Sequence, residues 1–149
     1  MQSKTLVLMP INNFTNYLSI LNMIHGIGTD IVNTARIERL YKRYGDIFVG
    51  KILAQTEWLE WSNSPPSHPI LFLSKRFAAK EAFAKAIHTG LRYPVTLHNI
   101  AVVHDKNGSP EFLCDASLQN LLKEQGITKV HLSLSDEQDY VLAFAIAEK

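Results

Sequence analysis

Apolar and polar residues alternate along residues 23–32, and this period of two predicts a β-strand. The two faces of the strand carry Ile27, Thr29 and Ile31 on one side and Gly26, Gly28 and Asp30 on the other. Since two neighbours on the Asp30 face lack a side chain, we expect open space beside this carboxylate.

A helical pattern of apolar positions dominates the rest of the first half. The predicted segments are a helix over 35–44, a short helix over 47–53, a helix from Thr56 through Trp61, a loop over 62–69 and a helix over about 70–88. Asn33 or Thr34 can cap the first helix, and Gly45 can end it. The longest helix has an apolar stripe at three- and four-residue spacing, formed by Leu73, Phe77, Ala84 and Ile87.

The second half has the pattern of two hairpins joined by a helix. The predicted elements are strands over 100–105 and 111–114 around an Asn-Gly turn, a helix capped by Asp115 that ends before Gly126, and strands over 129–135 and 140–147. Helices dominate the middle of the chain and antiparallel strands its end. We therefore expect the α+β class, in a single domain whose antiparallel sheet packs on helices.

Composition narrows the functional classes. The chain has 149 residues, 15 of them basic and 14 acidic, so its formal net charge is +1. This balance argues against a nucleic-acid-binding protein. No apolar run reaches the roughly 18–20 residues of a membrane helix, so no membrane association is expected. The single cysteine, Cys114, excludes an internal disulfide, is expected in the core and favours a cytoplasmic location.

Residues 1–22 differ in character from the rest of the chain. Polar residues and Pro10 interrupt their apolar stretches, only Lys4 is basic, and no small-residue cleavage site comes after them. A secretory signal is therefore not expected. We interpret residues 1–22 as an N-terminal extension and residues 23–149 as the folded domain.

The longest predicted helix carries a group of charges among alanines and phenylalanines. Glu81 and Lys85 are four residues apart, and so are Arg76 and Lys80, so the carboxylate is expected among three cations. One interpretation is a solvated helix face with an ordinary Glu–Lys pair. The other adds Asp30 on the strand, because two carboxylates with nearby cations suit a magnesium–phosphate site.

Two other patterns are candidate sites. Gly26-Ile-Gly28 lacks the third glycine and the following helix of a dinucleotide-binding motif, so we reject that reading. His131, Ser133 and Ser135 fall on one strand face, ahead of Asp136. A hydrolase triad is not expected, because neighbours on one strand rarely reach nucleophile–base geometry. A structural role and ligand contact both stay open for these residues.

Four motifs together resemble the holo-[acyl-carrier-protein] synthase family, the small bacterial 4'-phosphopantetheinyl transferases. They are Gly26-Ile-Gly-Thr-Asp-Ile-Val32 with Ala35-Arg-Ile37, Arg76-Phe-Ala-Ala-Lys-Glu-Ala82 with Lys85 and Thr89-Gly90, Asn107-Gly-Ser-Pro110, and His131-Leu-Ser-Leu-Ser-Asp136. The resemblance spans residues 23–148. His88 departs from it, since the family usually has a small residue there.

The resemblance implies Mg²⁺-dependent transfer of 4'-phosphopantetheine from coenzyme A to a serine of apo acyl carrier protein, as in fatty-acid synthesis. It implies Asp30 and Glu81 as metal ligands, and these two with Lys85 as the catalytic residues. It also implies coenzyme A contacts, a carrier-protein contact and a homotrimer with sites between subunits. The coenzyme A contacts are Arg76, Lys80, Lys85, Thr89, Gly90 and His131, and the carrier contact is Arg36.

Two alternatives stay open on the residues alone. A magnesium-dependent nucleotide phosphohydrolase would use the same carboxylates but need no protein acceptor. A non-catalytic α+β binding module would leave the helix charges as ordinary surface pairs.

Overall fold

The computed structural model describes residues 23–149, so the prediction for residues 1–22 lies outside the described residues. The first half comprises β1 (Ile24–Asn33), α1 (Thr34–Tyr44), α2 (Asp46–Ile52), α3 (Gln55–Asn63) and α4 (Pro69–Ala86). The second half comprises β2 (Ile100–His104), β3 (Pro110–Cys114), α5 (Ala116–Glu124), β4 (Lys129–Glu137) and β5 (Tyr140–Glu148). This is the predicted α+β class.

Local signals explain most of the boundaries. The Asn33 side chain accepts a hydrogen bond from the Ala35 N–H, and the Asp115 side chain does the same for Leu118. Gly45 separates α1 from α2 with a φ of +52°. One predicted cap is wrong, because α3 begins at Gln55 and Thr56 already lies inside it.

Two antiparallel sheets carry the strands. The larger has the order β1-β5-β4, and β2 and β3 form a separate hairpin. Asp30 lies on the edge strand β1 and pairs with Ala143 on the central strand β5. Because β5 is hydrogen-bonded on both sides, the backbone that carries Asp30 has a rigid neighbour.

α4 packs directly on the inner face of this sheet. A Cβ atom on Gly28 would lie 1.9 Å from the Ala82 carbonyl oxygen, and one on Gly26 would lie 2.2 Å from that of Ala86. The two glycines therefore let the helix backbone touch the strand backbone. The expected open space beside Asp30 is wrong, because α4 fills it.

The outer face of the sheet is open in the subunit. Its exposed apolar residues lie on β1 and β5, namely Ile27, Ile31, Leu142 and Phe144. The inner face is covered, and Val141, Ala143, Ala145 and Ala147 are fully buried there. Within residues 23–149 no helix has the length and apolarity needed to cross a membrane.

Candidate active site

The central interaction of the site joins β1 to the last turn of α4. The Lys85 ammonium group donates hydrogen bonds of 2.8 Å to both the Asp30 Oδ1 atom and the Thr29 carbonyl oxygen. The Asp30 side chain is 16% exposed and that of Lys85 is 50% exposed. The pair therefore lies at the edge of the subunit, within reach of a ligand from solvent.

Glu81 completes this group one helical turn before Lys85. Burial raises the pKa of Glu81, and the negative charge of Asp30 raises it further, while Lys85 and Arg36 oppose the shift. Glu81 forms no salt bridge within residues 23–149. The two carboxylates are thus close enough to repel each other, and Lys85 and Arg36 oppose that repulsion.

Two carboxylates this close together suit a hard divalent cation. Groups of three or more His, Cys, Asp or Glu able to hold a metal ion do not occur among residues 23–149. A cation bound here would have two protein ligands, both carboxylates. That set fits Mg²⁺, which commonly binds one or two carboxylates and keeps its other positions for water and substrate phosphate.

The structure divides the four charged residues that the sequence singled out on α4 into two groups, Glu81 with Lys85 and Arg76 with Lys80. At 100° per residue, Glu81 and Lys85 share one side of the helix, while Lys80 lies a quarter-turn away. The Lys80 side chain is completely buried, and its Nζ atom lies 2.5 Å from the Glu57 Oε2 atom. The prediction that Lys80 contacts coenzyme A phosphates is therefore wrong, since subunit assembly cannot expose a group buried inside the subunit.

Arg76 lies on the same side of α4 as Lys80 and is only 5% exposed. Its guanidinium group stacks 3.9 Å from the Phe72 ring centre and lies 3.5 and 3.6 Å from the carboxylates of Glu57 and Glu60. Of the three α4 cations predicted around Glu81, only Lys85 therefore lies on its side of the helix. A role of Arg76 in ligand binding remains a prediction.

Lys80 and Arg76 both depend on Glu57, which sequence reasoning did not single out. Burial lowers the pKa of Lys80 to about 8, although Glu57 opposes the shift. The sequence held only an indirect signal that a residue such as Glu57 exists, because two cations on an Ala- and Phe-rich helix need a buried counter-charge. Nothing in the sequence of α3 distinguishes Glu57 from an exposed first-turn acid.

Thr89 and Gly90 lie just past the end of α4. Their N–H groups both donate to the Ala84 carbonyl oxygen, at 3.2 and 3.3 Å, which keeps them beside Lys85. Gly90 has a φ of +63°, and His88, the departure from the family pattern, has a φ of +61°. The Nε2 atom of His88 lies 3.2 Å from the His25 carbonyl oxygen. The exposed His88 side chain therefore lies over β1.

His131 and Arg36 occupy different surroundings. His131 lies on the outer face of the sheet, opposite to α4, and its Nε2 atom lies 2.8 Å from a Glu148 carboxylate oxygen. A single subunit therefore does not bring His131 to Asp30. Arg36 is exposed on α1, and its charge acts on Glu81. The start of α1 is thus next to the carboxylates.

Comparison with known proteins gives a consistent result. Residues 26–145 match the 4'-phosphopantetheinyl transferase superfamily. The holo-[acyl-carrier-protein] synthase of a Neisseria meningitidis serogroup C strain is 54% identical over 127 residues, which are 85% of this chain and 100% of that protein. The resemblance seen in residues 23–148 therefore agrees with the family of this relative.

Comparison with solved structures leads to the same family. The crystal structure of the Neisseria meningitidis holo-[acyl-carrier-protein] synthase has a TM-score of 0.82 with this chain at 54% identity, covering 85% of this chain and 100% of that one. The Bacillus anthracis synthase in complex with CoA (3',5'-ADP) has a TM-score of 0.69 at 31% identity, covering 85% and 98%. This chain belongs to the 4'-phosphopantetheinyl transferase superfamily.

Proposed function

We propose that this chain transfers 4'-phosphopantetheine from coenzyme A to a serine of an apo acyl carrier protein. The products are the holo carrier protein and adenosine 3',5'-bisphosphate. The observation that carries the proposal is the joining of Asp30, Glu81 and Lys85 across the contact between β1 and α4. The Bacillus anthracis relative, whose structure holds CoA (3',5'-ADP), supports coenzyme A as the donor.

Asp30 and Glu81 would hold Mg²⁺. Bound there, the ion supplies positive charge for the pyrophosphate oxygens of coenzyme A. The structural support is the closeness of the two carboxylates: burial raises the pKa of Glu81, Asp30 raises it further, and a cation between the two groups would relieve their repulsion. Lys85 is already hydrogen-bonded to Asp30 and half exposed, so its remaining N–H can reach a phosphate oxygen.

The reaction exchanges one P–O bond for another. The carrier serine oxygen attacks the β-phosphorus, and the bond from that phosphorus to the oxygen it shares with the α-phosphate breaks. Lys85 stabilises the charge that grows on the leaving bisphosphate. The serine proton leaves to a base.

The carrier protein would bind along α1 and α2. Arg36, Arg39 and Arg43 are exposed or half-buried on α1, next to a shallow apolar cavity of about 240 Å³ lined by Leu40, Tyr44, Ile47, Phe48 and Lys51. Ile47 is 70% exposed at this cavity. An acidic partner with an apolar contact residue fits such a surface. Arg36 lies at its end nearest Glu81, so a docked carrier would place its serine by the site.

We also propose that the subunits assemble as a trimer through the outer face of the sheet. Ile27 and Ile31 are 54% and 65% exposed there, and Leu142 and Phe144 adjoin them. A contiguous apolar sheet face of this kind is typical of an interface. His131 on the same face would then contribute to coenzyme A binding in a neighbouring site. Sedimentation of Phe144→Glu tests this: a trimer unaffected by the charge contradicts the assignment.

Residues 23–149 would form the transferase domain. Supporting this, the match to the 4'-phosphopantetheinyl transferase superfamily covers residues 26–145, inside this range. A variant that begins at Met23 should retain the activity of the full chain. A large loss of activity in that variant would assign a function to residues 1–22.

The transfer assay combines the protein, coenzyme A, Mg²⁺ and an apo acyl carrier protein, with the carrier then weighed by mass spectrometry. Phosphopantetheine should be added to the carrier by the wild type, and this addition should be lost with Asp30→Asn and Glu81→Gln. Glu124→Gln on α5 is the matched control and should stay active. No mass gain with a carrier accepted by a related synthase contradicts the proposal, and coenzyme A hydrolysis without a carrier would favour a phosphohydrolase.

A further inference from the structure

Lys80 and Glu57 form a buried charge pair on the side of α4 away from the carboxylates. Their side chains are 0% and 1% exposed. The Lys80 ammonium donates to the Ile52 carbonyl oxygen at 2.7 Å, to the Leu97 carbonyl oxygen at 2.8 Å and to Glu57. All three N–H bonds of the ammonium are therefore used within the subunit.

Glu57 is satisfied to the same degree. Its Oε2 atom also accepts from the Ala54 N–H, and its Oε1 atom accepts from the Val102 N–H, both at 2.8 Å. The pair therefore joins α4 to the end of α2, the start of α3 and the strand β2. A buried ion pair with both partners satisfied fixes geometry, and removing one partner is strongly destabilising.

The bond from Lys80 to Leu97 has a further consequence for the segment after α4. The start of this segment is held by Ala84, whose carbonyl oxygen accepts from the N–H groups of Thr89 and Gly90. Its end is held by Lys80. Ala84 and Lys80 are one turn apart on the helix, about 6 Å along its axis. Residues 89–97 therefore form a loop whose two ends are anchored side by side on α4.

The geometry points to Lys80 as a positioning residue that closes the base of loop 89–97 and so fixes Thr89 and Gly90 relative to Lys85. This inference rests on the proposed function and on the contact of Thr89 and Gly90 with coenzyme A that the family resemblance implies. Lys80 itself touches no ligand. It acts through the Leu97 carbonyl, next to the buried Val95, while Tyr93, which is 79% exposed, contributes little to hold the loop.

The test compares Lys80→Met with Lys123→Met, which removes an exposed lysine from α5. Lys80→Met keeps the volume of the side chain but leaves Arg76 as the one remaining cation beside Glu57. The double variant Glu57→Gln with Lys80→Met removes both charges of the Lys80–Glu57 pair and leaves Arg76 paired with Glu60, so it carries the test if the single variant does not fold. Three quantities are measured: hydrogen exchange of residues 89–97, the Kd of coenzyme A with Mg²⁺ by calorimetry, and the KM of each substrate.

In the Lys80 variants, the amides of residues 89–97 should lose protection against hydrogen exchange under conditions where the amides of β1 and β5 stay protected. The Kd and KM for coenzyme A should rise about tenfold or more, because misplacing binding groups by ~1 Å is costly. The KM for the carrier protein should stay within about twofold, because α1 lies outside the loop; a loss of stability alone would not produce this split.

Loop protection and coenzyme A affinity equal to those of Lys123→Met overturn the inference. Failure of both Lys80 variants to fold also overturns it, because the pair would then serve folding and not the position of the loop. Failure of the proposed function looks different. The wild type would then neither bind coenzyme A nor modify a carrier, while hydrogen exchange would still decide whether Lys80 closes the loop.

Discussion

Replacing Gly28 by alanine tests whether direct backbone contact between β1 and α4 sets the geometry of the site. The new Cβ atom would lie 1.9 Å from the Ala82 carbonyl oxygen and 2.6 Å from the Ala86 nitrogen. Both are backbone atoms within a helix, so no side-chain rotation can relieve the overlap. The helix and the strand must separate.

The size of the separation follows from these distances. Ordinary contact for a Cβ atom begins at 3.4 Å, so the two backbones must move apart by about 1.5 Å. The bond from Lys85 to Asp30, now 2.8 Å, would then exceed 4 Å. Overpacking of this kind costs about 3 kcal/mol of stability. A misplacement of ~1 Å at the site lowers the transfer rate by about 10²-fold.

Gly50→Ala provides the matched control. Gly50 lies in α2, and the nearest atom to its new Cβ would be Trp58 Cζ3 at 4.0 Å. Removing a helical glycine without a clash should stabilise the protein by about 0.5–1 kcal/mol and leave activity unchanged. Urea denaturation and the carrier mass assay measure both variants. If Gly28→Ala retains wild-type stability and turnover, the contact does not define the site.

Three further outcomes are expected. In urea denaturation without divalent ions, Glu81→Gln should be more stable than wild type at pH 8 and equal to it at pH 3. The raised pKa of Glu81 means that folding favours the protonated carboxyl group. The stability that this group contributes to the wild type is therefore lost as the pH rises through its pKa in the folded protein. A less stable variant at pH 8 would contradict the repulsion from Asp30. His88→Gly should raise the stability by about 1 kcal/mol, because His88 has a φ of +61°, whereas His88→Ala should not; equal melting temperatures for the two variants would exclude strain. Since burial and Asp115 raise the pKa of the half-buried Cys114 to about 12, iodoacetamide should modify it much more slowly in the native protein at pH 7.5 than in urea, and equal labelling rates would refute the raised pKa.

Periodicity predicted the helices and strands because each element has local signals. Asn33, Gly45 and Asp115 mark ends that depend only on neighbouring backbone groups. The wrong cap at Thr56 also came from a local signal, because this good capping residue lies one position inside the helix. Local chemistry sets most boundaries, but contacts within the fold decide between adjacent positions.

The site was predicted less completely because it depends on what packs against α4. Sequence spacing placed Glu81 with Lys85 correctly, since both lie on one side of one helix. Spacing could not show that Lys80 faces Glu57, 23 residues earlier in the chain. Nor could it show that the glycines of β1 admit a helix backbone in place of open space. Both facts arise from tertiary contacts between distant segments.

The backbone contact at Gly28 also determines how this site can be altered. The distance between β1 and α4 is not set there by a side chain that could be exchanged for a larger or smaller one. Substitutions elsewhere in the core can change stability without resizing the space between Asp30 and Glu81. A site for a cation of another radius therefore requires a change in the length of a carboxylate side chain, by Asp30→Glu or Glu81→Asp. The distance between the β1 and α4 backbones stays fixed.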